Sequence, residues 1–524
     1  MARKRGWITI LLAIVGLWAL GLRSRWHAGL LALWLGLPVF FMFVLGLYRE
    51  AYLKFLLSVT PAVTVLMASG LLASLPAAQH SQQRAARFAV YSSRLLQLLA
   101  AFLILAASFV SLKNYYTDPS YARDDYRSIA AYIEALGRPA DTILLNAPGQ
   151  QEVFGYYYDG DLPVYPVPES RPLDPAATES ALIELARPGA RVFAVLWATD
   201  ESDPERFVER WLDDHAYKAL DSWFGNVRLV VYAVPERTPD GPESLLNIRL
   251  QDTETGDEVI LLGYSLLNDR LVAGDIARIT LFWQAGQTPA QRYKVFLHVL
   301  DGADHIVGQR DAEPGGGARL TTLWAPGEVV ADNHGVPIHP ATPPGEYRVE
   351  VGMYNPETGQ RLVTPEGEGQ VWLEPLLVER PLLPAPVAAL GMQHAGGARF
   401  GELTLLGYDA YKLGFAHQPD APLRPGDVLH LNLYWQAEAQ PCGDWQLAIG
   451  LMDRGGQEWT AIVAEPVEGY PTSLWQVGDR WRGQFNLPLP GDMPPGRVRL
   501  RIQPVAPGGT PSEPFLSGPL TVEQ

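Results

Sequence analysis

Few residues in this chain have types and spacing suited to chemistry. Arg49, Glu50 and Lys54 fall together in YREAYLK, between two apolar stretches. Cations beside a membrane attract anionic head groups, so Arg49 and Lys54 are candidate contacts for a lipid phosphate. An ordinary interfacial cluster, with Lys54 snorkelling, would read the same way. Glu50 is the one carboxylate of residues 1–112, and its cationic neighbours would hold it ionised, which suits a general base poorly. His298, Asp301, Asp304, His305 and Asp311 are metal-ligand types, but they are strung over a strand, a turn and another strand, and DGAD reads as a hairpin tip in water. Trp283, Trp324, Trp435 and Trp475 could stack on sugars; their recurrence inside strand patterns favours core packing. Tyr156, Tyr157 and Tyr158 form an aromatic run suited to a cleft or a membrane surface. Cys442 is the single cysteine, which excludes an intrachain disulfide and a cysteine metal cluster. The sequence therefore assigns no catalytic, cofactor or metal residue.

The elements that would carry these residues divide at one junction, Leu95–Gly137. Leu95–Leu112 is uncharged, close to the ~20 residues needed to cross a hydrocarbon core. Beyond it, Asp124 or Asp125 can cap a helix whose Tyr126, Ile129, Ile133 and Leu136 share a face, with Gly137 as the stop. Charge divides at the same place: residues 1–112 carry a net of +9 and the remainder −25, within a whole-chain value of −16. So acidic a body lacks the basic patches that nucleic acid requires. Four apolar segments predict four transmembrane helices, about 7–22, 28–47, 55–75 and 95–112, and hence a multi-pass protein of the cell membrane with the lipid bilayer as partner. Loop arginines and lysines split evenly between the two orientations.

Residues 113–235 alternate strand and helix signals, the pattern of a small α/β domain. It contains no GxGxxG, GxSxG or Walker loop. After the linker PERTPDGPES come two copies of one module, 245–380 and 391–524. LLGYSL (261–266) matches LLGYDA (405–410), AGDIARITLFWQA matches PGDVLHLNLYWQA, and TTLWAPGE matches TSLWQVGD. Period-2 alternation predicts that each copy is an antiparallel β-sandwich. The expected fold class is thus a multidomain membrane protein: four helices, an α/β domain and two repeated sandwiches.

REAYLKFLLSVTPAVTVLMASGL (49–71) resembles a late transmembrane helix of the GT-C membrane glycosyltransferases, which use polyprenyl-phosphate-linked sugars. YYTDPSYARDDYRSIAAYIEALG and the following DTILLNAPGQQEVFGYYYDGDLPVYPVP resemble the extracytoplasmic tail of many bacterial members. The likeness covers roughly residues 7–235 and implies a body outside the cytoplasm. It also implies a departure. Those enzymes place an acidic base in the first loop after the first helix, and here that loop is LRSRWHA. The chain resembles the C-terminal part of such an enzyme without its catalytic half. The expectation is a non-catalytic fragment or subunit that contacts polyprenyl-phosphate-linked sugar or a membrane partner supplying the missing helices. The alternative is an anchored module that binds glycan or envelope components.

Overall fold

The computed structural model describes residues 6–46, 56–73, 84–117, 124–147, 149–170 and 172–524. The chain divides into two compact units, 1–122 and 123–524. In the first, helices Gly6–Arg23, Arg25–Val44, Thr60–Leu71 and Arg84–Thr117 occur. The expectation of four membrane-crossing helices is overturned. Two stretches are long and apolar enough, Arg25–Val44 and Gln97–Thr117, while the other two helices contribute only the shorter apolar stretches Leu12–Arg23, within Gly6–Arg23, and Leu56–Leu71, which ends with Thr60–Leu71. The reason is length. At 1.5 Å per residue, 12 to 16 residues rise only ~18–24 Å against a ~30 Å core. These short helices instead meet each other at glycine. A Cβ on Gly16 would lie 1.8 Å from the Leu66 carbonyl oxygen, and one on Gly70 would lie 2.2 Å from that of Leu12. Close backbone approach of this kind is how small residues hold apolar helices together.

The second unit begins at a capped helix. Asp125 Oδ1 accepts from the Ser128 N–H at 3.0 Å, the helix runs Tyr126–Leu136, and Ile129 and Ile133 are fully buried. It covers one face of a five-stranded sheet ordered Val164–Pro166, Thr142–Leu145, Arg191–Leu196, Val227–Ala233 and Tyr217–Phe224. The first three strands are parallel and the last two form an antiparallel hairpin. The central strands are buried along their whole length, as a sheet covered on both faces requires.

Each module that follows encloses its own core between two sheets. In the first module Val329–Pro337, Ile276–Gln284, Glu258–Leu266 and Ser244–Gln251 face Ile306–Ala312, Lys294–Leu300, Gly345–Tyr354, Val371–Glu379 and Arg270–Val272. The pairing is antiparallel except at Arg270–Val272, which runs parallel to Val371–Glu379. The repeated words have physical meanings. In LLGY the register slips at the second leucine, between Leu261 and Gly263 and between Leu405 and Gly407, while Leu261 faces Trp283 and Leu405 faces Trp435. The bulge presses the glycine on its neighbour: a Cβ would lie 2.2 Å from the Ser244 oxygen at Gly263 and 2.4 Å from the His394 oxygen at Gly407. The tyrosine then reaches the opposite sheet, Tyr264 Oη accepting from Glu374 N at 3.0 Å and Tyr408 Oη from Gly518 N at 3.2 Å. In TTLW and TSLW the threonine hydroxyl accepts from a backbone N–H (Tyr293 or Trp445) and donates to a carbonyl (Gln291 or Gly443). That fixes Trp324 and Trp475 in their cores.

A charge network joins the α/β layer to the first module. Lys218, almost fully buried, lies 2.8 Å from Asp213 and 3.1 Å from Glu209, and Arg228 binds Glu209 and Asp221. The Gly315–Gly317 loop packs on this cluster, Gly316 lying against Lys218 and Asp213. Burial outweighs the attraction of Lys218 and pushes Asp213 up to about 6. A carboxyl raised from 3.8 contributes stability that is full below about pH 4 and is lost as pH rises to about 6. We expect Asp213→Asn to remove about 3 kcal/mol of that pH dependence, read as the difference between the two unfolding curves from pH 4 to 7.

A second test separates the duplicated tryptophans. Trp283 Nε1 donates to Asp332 Oδ2 at 3.3 Å, whereas Trp435 Nε1 is buried without a partner. Trp283→Phe should cost about 1–2 kcal/mol more than Trp435→Phe in chemical denaturation, because only the first strips a donor from a buried carboxylate. Equal costs would contradict this.

Candidate functional site

Antiparallel registry in the first module gathers residues far apart in sequence. On the strands Lys294–Leu300 and Gly345–Tyr354, the residues Val295, Leu297, Val299, Val349, Val351 and Met353 point into the core. Their alternates, Phe296, His298, Arg348, Glu350 and Tyr354, therefore form the outer face. His298 pairs with Gln309 on one side and Glu350 on the other, and Glu350 pairs with Trp372. Phe296 pairs with Asp311 and Gly352, and Lys294 with Tyr354.

The face is held by contacts among its own members. His298 Nδ1 lies 2.8 Å from Glu350 Oε1, and its Nε2 lies 3.5 Å from Asp311 Oδ1. Burial alone would lower the His298 pKa, but the bonds to Asp311 and Glu350 outweigh it and hold the ring protonated above its usual range. Tyr354 Oη donates to Asp311 Oδ2 at 3.2 Å, and burial with that carboxylate raises its pKa to about 12. Arg361 lies 4.1 Å over the Phe296 ring, and Arg348 5.2 Å over Trp372. Beyond Lys294 the face opens into a cleft of about 570 Å³ lined by Arg292, Lys294, Glu313, Asn355 and Glu357 among others. Its size falls in the range of small-ligand sites. Nothing in the face pairs a nucleophile with a base; its chemistry is hydrogen bonding and stacking.

The residues singled out in the sequence scatter. Arg49, Glu50 and Lys54 lie outside the described residues. The five metal-ligand types separate into two groups: His298 and Asp311 join the outer face, while Asp301 pairs with His305 at the hairpin and Asp304 binds Arg348. Among the described residues no group of three or more His, Cys, Asp or Glu has the arrangement to hold a metal ion. Trp283, Trp324, Trp435 and Trp475 are buried to 1 % exposure or less and present no platform. Of the tyrosine run, Tyr156 is exposed, Tyr157 packs edge-on against it, and Tyr158 stacks on Phe154 in the core. Cys442 is exposed and unpaired. Gln309, Glu350, Trp372 and Arg361 were not legible as a set, because cross-strand registry, not spacing, brings them together. The one available signal was polar and aromatic residues at the out-facing positions of otherwise apolar strands.

No family model matches the chain, and no curated protein matches it.

The imidazolium arrangement has a pH signature. A histidine whose folded pKa is raised contributes stability that is full below the unfolded value near 6.5 and lost as pH rises through the folded value. Wild type should therefore be more stable than His298→Gln at pH 5–6, and the gap should close by pH 9 in parallel denaturant titrations. A gap independent of pH would show that the ring is held neutral.

Proposed function

We propose that this chain is a membrane-anchored, non-catalytic binding protein whose β-rich body lies outside the cytoplasm and engages polysaccharide or another envelope component. The observation that carries the reading is the cleft at the end of the first module, continuous through Lys294 and Tyr354 with a sheet face of rings and hydrogen-bonding side chains. Anchoring is supported by Arg25–Val44 and Gln97–Thr117, whose apolar side chains are almost wholly unburied by protein. A body held by such helices would act where it is tethered.

The sequence likeness at 49–71 and 115–168 supports a second reading, a non-catalytic subunit of a GT-C-type transferase that contacts polyprenyl-phosphate-linked sugar. One experiment separates the two. Full-length protein in detergent is incubated with washed envelope fragments, either intact or stripped of lipid, and co-sedimentation is measured. We expect retention on lipid-stripped polysaccharide, reduced several-fold by Lys294→Ala combined with Arg292→Ala. Retention that vanishes with the lipid would favour the subunit reading, and no retention on either material would sink the binding reading.

A further inference from the structure

We infer that the outer face of the first module is a groove for one neutral polysaccharide chain, lying across the strands along the row Gln309, His298, Glu350 and Trp372. The inference rests on the binding reading above and assigns its ligand class and contact residues. The row follows from registry alone: each member is the cross-strand partner of the next on four adjacent strands. Neighbouring strands lie ~4.8 Å apart, so the row extends ~14 Å. It presents an amide, an imidazole, a carboxylate and an indole in that order.

Hydrogen-bonding capacity is left over along this row. Glu350 is 8 % exposed; its Oε1 is engaged by His298, and its Oε2 has no hydrogen bond among the described residues. The Gln309 amide, exposed beside it, likewise has none. A carboxylate oxygen and an amide without partners on a rigid sheet suit the vicinal hydroxyls of a sugar. Trp372 is 45 % exposed; Arg348 lies 5.2 Å over its ring, and the rest of the exposed indole can meet the C–H face of a pyranose ring. Between this row and the Lys294–Tyr354 pair, position 352 has no side chain and the buried Phe296 ring fills the space; a Cβ there would lie 2.5 Å from that ring.

Charge selects the ligand class. Asp311 and Glu350 lie on the face, Glu313 and Glu357 line the cleft, and the body around them is strongly acidic. Arg348 is paired with Asp304, Arg292 with Glu313, and Arg361 lies 3.9 Å from Glu350, while His298 sits between Asp311 and Glu350; Lys294 has no ion pair among the described residues. A polyanion would meet repulsion within a Debye length of ~10 Å; an uncharged polyhydroxylated chain would not.

The test uses full-length protein in detergent and affinity electrophoresis through gels containing mannan, a β-glucan, a galactan or, as the acidic probe, polygalacturonate. Wild type should be retarded by at least one neutral polymer and not by polygalacturonate. Trp372→Ala should weaken that retardation about tenfold and Gln309→Ala about threefold, the effects of one stacked ring and one hydrogen bond. Trp223→Ala, removing an exposed ring of the α/β layer, should change nothing, and thermal unfolding of all three variants should match wild type. Retardation unchanged in both row variants would overturn the groove while leaving the binding reading standing. Retardation by polygalacturonate alone, or displacement of the glycan by an unrelated peptide, would overturn the ligand class. Retardation by no polymer would end both readings.

Discussion

The body is organised by a steric constraint, the close approach of backbone at Gly263 and Gly407. A side chain at either position would collide with a carbonyl oxygen little more than 2 Å away. The bulge that creates this approach turns the strand, so that the leucine before it faces a tryptophan and the tyrosine after it crosses to the other sheet. One local irregularity thus sets which residues fill the core and how far apart the two sheets stand. Within its own sheet it also fixes the alternation of in-facing and out-facing residues, since a slip of one residue would turn every core side chain of that strand outward.

With that scaffold built twice, the differences between the copies become informative. In the second module the strands Gln446–Asp453 and Gly496–Val505 pair as Lys294–Leu300 and Gly345–Tyr354 do in the first. The position of His298 is taken by Gly450 and that of Glu350 by Arg501, which are likewise cross-strand partners. Arg501 binds Glu458 at 2.6 Å, and Glu458 lies over Gly450. There the row is closed by an internal ion pair. The first module keeps the same backbone but bonds His298 to Glu350 and leaves the Gln309 amide exposed, so the outer face is a property of side chains that differ between two copies of one frame.

The sequence made the local devices legible and the assembled ones not. The Asp125 cap, the Gly137 stop and the buried strands at 142–145 and 191–196 rest on neighbours within a few residues. The repeated LLGY and TTLW words showed a duplication, although the bulge and the threonine bonds behind them needed coordinates. Counting apolar segments misjudged the membrane unit, because hydropathy does not reveal where a helix ends: Thr60–Leu71 is only 12 residues long. Proximity in sequence also misled. His298 and His305 belong to different clusters, while His298 and Glu350, 52 residues apart, share a hydrogen bond.

What distinguishes the outer row from the other polar clusters is unspent bonding capacity. Asp141 accepts from the Arg138 and Arg191 backbone and from the Arg191 guanidinium. Asp203 takes the Phe207 and Val208 N–H groups at a helix start, and Asp332 takes Gly315 N, the Trp283 indole and His334. These buried carboxylates are saturated by the fold, as groups withdrawn from water must be. A saturated group can hold a structure together but has nothing to offer a ligand. Glu350 is withdrawn nearly as far and keeps one oxygen without a hydrogen bond among the described residues, beside the Gln309 amide and a partly exposed indole that Arg348 overlies. A row of sugar hydroxyls is the occupant proposed for that residual demand. The fold rewards such an occupant with contacts it cannot supply from itself.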